Sequence, residues 1–266
     1  MKKNRLLTLT ILPLSLAFIG IYATTARSQL PPPSQGPTGS MSETFKNPHC
    51  PNKVSLEVSM KYPINTGNAK VDAFFEKMAA DYMAENTRQA RNFGPADCQI
   101  TTHAFWHGDY KSFKPNPETL GVIINTSENG GGSGTFCVYL AYNFDLRTGR
   151  EFDIKDFFIN PGIGINGIYG YAYADLCKKT ASHVAAEEVM GGQCGRDRNA
   201  PRKLLALRGS LDGLGHLVLT ERGADLNFCH DELWHKLHGD YTLPIPKNTL
   251  IKFGARDFWG PSVPNF

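Results

Sequence analysis

The sequence predicts an α+β domain: a largely antiparallel sheet packed with a long N-terminal helix and a second helical segment, held by three disulfides. Three observations lead there. Short stretches that alternate apolar and polar residues outnumber helical ones. The two helical stretches fall among them without regular βαβ alternation, which argues for antiparallel pairing. All six cysteines lie beyond an export signal, and their number is even.

The chain opens with Lys2, Lys3 and Arg5, then an apolar run over 6–23, then the small residues Thr24, Thr25 and Ala26. This order reads as a secretory signal peptide over 1–26. The run approaches the ~20 residues that span a bilayer. Pro13, Gly20 and the small residues after the run favour cleavage over an uncleaved N-terminal anchor. Residues 27–46 are rich in Pro, Gly and Ser and read as a linker. The globular part, 47–266, suits a single α+β domain or two small subdomains.

Along that part, 54–62 alternates as a half-buried strand ended by Pro63. Residues 68–92 form an amphipathic helix, with Val71, Phe74, Phe75, Met78 and Tyr82 at three- and four-residue spacing. Asn68 is its expected N-cap, and Gly94 and Pro95 stop it. Strands are expected at 99–106 and 119–127, followed by the Gly-rich turn Gly130, Gly131, Gly132, Ser133, Gly134. The strongest strand is 136–145. Arg147, Thr148 and Gly149 turn it into a short strand at 151–154. Residues 168–190 read as the second helix. The segments 214–220 and 224–228 form a strand pair, 241–245 is a short strand, and 248–253 ends the domain.

The chain has 28 Lys+Arg and 25 Asp+Glu. Without the basic residues of the signal, 25 of each remain. A nucleic-acid partner would require a cationic surplus, as would an anionic membrane surface; the mature chain has none.

The cysteines are Cys50, Cys98, Cys137, Cys177, Cys194 and Cys229. An oxidising compartment pairs such thiols. Six cysteines allow fifteen pairings, and the sequence does not choose among them. The arrangement we favour pairs Cys177 with Cys194 across a short helical stretch, Cys50 with Cys98, and Cys137 with Cys229 between two strands. No Cys-x-x-Cys is present, and the spacings do not suit a metal.

Two stretches carry a family resemblance. The first holds the Gly-rich turn, then Tyr142, Asn143, Phe144, Asp145, Leu146, Arg147, Thr148, Gly149 and Arg150, then Phe152, Asp153, Ile154, Lys155, Asp156, Phe157 and Phe158. The second holds Leu217, Val218, Leu219 and Thr220, then 223–228, closing at Leu243, Pro244, Ile245, Pro246 and Leu250. Together they resemble the extracytoplasmic DUF3298 family, which includes the C-terminal domain of the lysozyme-sensing anti-sigma factor RsiV. The likeness covers most of 53–253. It departs at the turn, where Gly-Ser-Gly stands in place of Ala-His. The resemblance implies an envelope-facing binding or sensing domain, with no catalytic set and no cofactor.

Several residue groups could bear chemistry. His230, Asp231, Glu232, His235, His238 and Asp240 form a segment rich in metal-capable side chains. A His-Glu-x-x-His site places its histidines four apart, whereas His230 and His235 are five apart. Leu233, Trp234 and Leu237 read as core residues of the same segment. His103 and His107 fall on one strand face and could form a ligand or acid–base pair. Asp153 and Asp156 match the family's turn. No Gly-x-Ser-x-Gly elbow and no phosphate loop is present. The binding surface to which the sequence points is Asn129, Gly130, Gly132 and Ser133 in the turn, with Trp259 of the C-terminal tail.

The expectation is therefore an exported, non-enzymatic domain in the periplasm or outside the cell, binding an envelope protein, a lysozyme-like one included, or a cell-wall ligand. The alternatives are a periplasmic cell-wall hydrolase using the 230–238 cluster and a structural envelope subunit. A disulfide closing a loop of ~15 residues contributes ~3 kcal/mol in the chain-entropy model. Dithiothreitol is thus expected to lower the melting temperature; an unchanged melt would mean that the thiols are free.

Overall fold

The computed structural model describes residues 36–46, 55–92, 103–129, 135–181, 216–229 and 240–264. These form a mixed α+β fold in which antiparallel sheet dominates. Strands β1 (Thr38–Lys46), β2 (Ser55–Pro63), β3 (His103–Asn116), β4 (Thr119–Asn129), β5 (Phe136–Asp145) and β6 (Arg150–Glu151) make a six-stranded sheet in chain order. Only β2 and β3 run parallel in it. A parallel pair needs a long crossover, and helix α1 (Ala69–Arg91) lies within that connection. Strands β7 (Leu217–Thr220), β8 (Gly223–Phe228) and β9 (Tyr241–Pro246) form a second, antiparallel sheet.

Helix α1 covers one face of the large sheet. Asn68 caps it, its Oδ1 accepting from the Lys70 N–H at 2.9 Å. The Asn68 Nδ2 donates to Leu146 O at 2.8 Å, which ties the helix start to the turn after β5. Val71, Phe75 and Ala79 are buried against Met60, Val122 and Phe144. Phe74 and Phe75 meet Tyr142 and Phe144 edge to face, with centroids 5.2–5.9 Å apart.

The other layer is built on the small sheet. One of its faces, with Leu217, Leu219, Leu226 and Ile245, packs in a core shared with α2 (Ile154–Phe157), α3 (Pro161–Ala181) and α4 (Lys247–Lys252). Its other face turns Val218 to Phe113, Ile123 and Ala141 of the large sheet. The sheets come close at Gly121, where a Cβ would stand 2.2 Å from Leu219 O. Beside it, buried Asn143 donates from Nδ2 to Leu217 O at 2.8 Å. Its Oδ1 accepts from the Leu219 N–H at 2.7 Å. Strand β7 ends its sheet, so the Asn143 amide bonds its outer edge as a further strand would.

Three expectations change. The linker assigned to 27–46 gives way to β1 over its last nine residues. Met41 and Phe45 face α1, while Ser40, Ser42 and Thr44 face outward, so an edge strand forms despite a polar composition. Helix α3 begins at Pro161 rather than 168. Asn160 caps it, Oδ1 accepting from the Ile163 N–H at 3.2 Å, and Pro161 takes the first helical position. Gly164 and Gly167 obscured that start; they are there because Phe158 and Phe253 press on the helix, 2.2 and 2.5 Å from where a Cβ would be. The strand expected at 151–154 ends at Glu151, and α2 follows because Asp153 Oδ1 accepts from the Lys155 and Asp156 N–H groups.

Cys137 and Cys229 are bonded, with Cα atoms 5.8 Å apart across a separation of 92 residues. Cys50, Cys98, Cys194 and the Cys177 side chain lie outside the described residues, so one of the three expected disulfides is seen. No helix among the described residues is long and apolar enough to cross a membrane.

Asn143→Ala would leave two buried backbone groups unpaired, at ~1–3 kcal/mol each. A loss of about 3 kcal/mol corresponds to a melting temperature lower by roughly 6–12 °C for a domain of this size. A thermal melt by circular dichroism that moved by less than ~2 °C would show that the amide does not join the sheets.

Candidate functional site

The sheets meet along the Gly121–Asn143 row and leave a groove of about 350 Å³ beyond it. Strand alternation supplies its wall. Asp109, Asn125 and Tyr139 are cross-strand neighbours on one row of the large sheet, and Lys111 and Ile123 stand on the next. Asp225, Asn227 and Thr242 face them from β8 and β9. Phe113, Ile123 and Val218 make an apolar floor.

Several polar groups here are held in place. Tyr139 Oη donates to Asp240 Oδ2 at 2.7 Å, and Asn125 Nδ2 donates to Tyr139 Oη at 3.5 Å. Thr242 Oγ1 donates to Asn227 Oδ1 at 3.0 Å, and Asn227 Nδ2 donates to Asp225 O at 3.1 Å. The Cys137–Cys229 bond links β5 to the residue after β8, two positions from Tyr139 and from Asn227. Cys137, Cys229 and Asp240 lie close together. The two sulfurs are joined to each other, so the trio offers no thiolate pair to a metal.

Asp225 stands apart from these. Among the described residues its carboxylate has no hydrogen-bond or ion-pair partner, and neither has Lys111. Burial, with the like charge of Glu221, pushes the Asp225 carboxyl above its ordinary 3.8, and Lys111 offsets this in part. A carboxyl with a raised pKa that lines a cleft is a site signal with a physical basis.

The residues singled out from sequence fall elsewhere. Asn129 ends β4, opposite Phe105. It lies four positions from Asn125, about 13 Å along the strand. Gly130, Gly132 and Ser133 lie outside the described residues, as does the 230–238 histidine segment. Trp259 is not a displayed aromatic: its Nε1 donates to Thr220 O at 2.8 Å. Its neighbour Phe258 is fully buried against Phe152 and Phe157. The tail folds back because the small sheet leaves an apolar face to cover. His107 rests on the Phe105 ring, with Nε2 3.4 Å from Glu57 and outside hydrogen-bond geometry; the His103 side chain lies outside the description. Asp156 pairs with Arg150 and Asp153 caps α2, so these two carboxylates have structural work. The groove residues were missed because they come from six strands. The available signal was period-two alternation at 109, 111, 113 and at 123, 125, which marks one face but not what lies across it.

No family model matches the chain, and no curated protein matches it. Solved structures do. A DUF3298 family protein from Pseudomonas aeruginosa PAO1 superposes with a TM-score of 0.51 at 13% identity, over 86% of this chain and 99% of that one. A DUF3298 member from Bacteroides fragilis NCTC 9343 gives 0.47 at 15% identity, over 83% and 93%. The first likeness supports the family resemblance at the level of fold: the chain has the fold of a DUF3298 protein.

The raised Asp225 pKa has a consequence for stability. The native state resists the charged form, so Asp225 costs nothing at a pH below the ordinary carboxylate value and its cost grows as pH rises through the raised one. Asp225→Asn is expected to melt higher than the parent at pH 7 and at the same temperature near pH 3. Calorimetry showing no gain at pH 7 would contradict the placement of this carboxyl.

Proposed function

We propose that this chain is an exported, non-enzymatic domain that binds or senses an envelope ligand through the groove between its sheets. The observation that carries this reading is the groove itself. It is concave, with an apolar floor and convergent polar groups, the general form of a ligand site. Its wall offers carboxylates, amides, a phenol and an amine, a set suited to holding a ligand. The signal pattern at 1–26 and the Cys137–Cys229 bond support an oxidising compartment. The sequence resemblance supports the finer version, an RsiV-type domain whose partner is a lysozyme-like protein, with a cell-wall fragment as the other candidate ligand.

Thr242 is exposed on the groove wall, so a larger side chain there fills the groove without entering a core. Isothermal titration of the mature protein with c-type lysozyme, and separately with soluble muropeptides, is the test. Binding of at least one is expected, weakened about tenfold or more by Thr242→Trp, with an unchanged circular dichroism spectrum. Heat from neither would remove the binding reading. Muropeptides that emerge cleaved would replace it with a hydrolase.

A further inference from the structure

The groove makes two opposite demands on whatever fills it. Lys111 has three donors and no acceptor, while ionised Asp225 only accepts. They line the same groove and feel each other's charge, but among the described residues neither has a hydrogen bond or a direct ion pair. An anion drawn to Lys111 would meet Asp109 and Asp225. A cation drawn to those carboxylates would meet Lys111. A hydroxyl satisfies both, since it donates and accepts. Two adjacent hydroxyls on one ring could donate to Asp225 and accept from Lys111 at once.

The rest of the wall fits the carbon side of such a ring. Tyr139 lies in the groove with its hydroxyl fixed by Asp240 and Asn125, so its ring is positioned before any ligand arrives. Phe113 and Ile123, backed by the fully buried Val218, line the groove floor and offer a small apolar surface to C–H groups. The volume of about 350 Å³ is near the low end of ligand pockets at ~300–1,000 Å³, which suits one or two sugar rings. We infer that the groove is a subsite for a neutral saccharide, with Asp225 and Lys111 reading adjacent hydroxyls and Tyr139 as the stacking platform. This rests on the groove being the ligand site of the proposed binding domain.

Nitrogen-15 NMR of the mature protein tests it. The probes are chitotriose, cellotriose and maltotriose, with L-arginine amide and inorganic phosphate as charged controls. At least one trisaccharide is expected to shift the backbone amides of Lys111, Asn125, Tyr139, Asp225 and Thr242 saturably. Lys111→Met and Asp225→Ala should each weaken that binding about tenfold, while the amides of α1 keep their positions. Shifts at the groove with arginine amide or phosphate alone would overturn the saccharide and leave the groove a ligand site. No shift with any probe, alongside lysozyme or muropeptide binding that Thr242→Trp blocks, would overturn the saccharide and leave the binding reading standing. No shift with any probe, and no lysozyme or muropeptide binding either, would overturn both.

Discussion

The side-chain amide of Asn143 belongs to both sheets at once. Its backbone pairs with Gly121 in the large sheet, and its carbonyl oxygen accepts from the Phe152 N–H at 2.7 Å. Its side chain completes the edge of β7. A buried donor and a buried acceptor of the small sheet therefore find partners in the large one, where an apolar side chain would leave both unpaired. Gly121, beside it, lets the backbones approach to a distance that any side chain would prevent. The line of contact between the sheets is thus set by one amide and one missing Cβ.

The groove follows from that line. At the Asn143 end the sheets are in contact. At the other end, Cys137–Cys229 holds β5 to the end of β8, and Tyr139 bonds to Asp240 just before β9. Two ties at opposite ends fix the opening between them. A groove fixed in this way loses little freedom when a ligand enters, which is the general advantage of preorganisation. The ties are also chemically distinct, one a pair of hydrogen bonds and the other a covalent bond that depends on compartment.

Much of the local structure was legible. Strand β5 runs over the residues read from its alternation, and Cys137–Cys229 is one of the favoured pairings. Asn68 caps α1, and Val71 and Phe75 point inward as the helical spacing required. These features are set within a few residues of chain. What failed depended on distant partners. Strand β1 has few apolar residues of its own and exists because β2 pairs with it along its whole length. The start of α3 was hidden by glycines whose reason lies on Phe158 and Phe253. The site was hidden most deeply. Lys111 and Asp225 are each unremarkable in their strands, and only the packing of one sheet on the other sets them in one groove.

The inter-sheet layer also differs in kind from the two layers outside it. Packed sheets ordinarily interdigitate apolar side chains across ~10 Å. Here Phe113, Ile123, Ala141 and Val218 do so over a short stretch, and beyond them the facing residues are polar. Asn227 meets the cost of burial through Asp225 O and Thr242. Asp225 does not, and its raised pKa records the penalty. A leucine in the same place would extend the apolar floor and remove that penalty. A carboxyl kept half-buried where an apolar residue would stabilise the fold fits the proposed ligand-binding role. The helix-facing cores are mainly apolar, and the buried phenols of Tyr110 and Tyr241 have partners there: Tyr110 Oη meets Thr38 Oγ1 at 2.9 Å and Tyr241 Oη donates to Asp175 at 2.8 Å. The fold therefore sets a polar seam between its sheets apart from the apolar cores beneath its helices, and that seam is where the proposed ligand would sit.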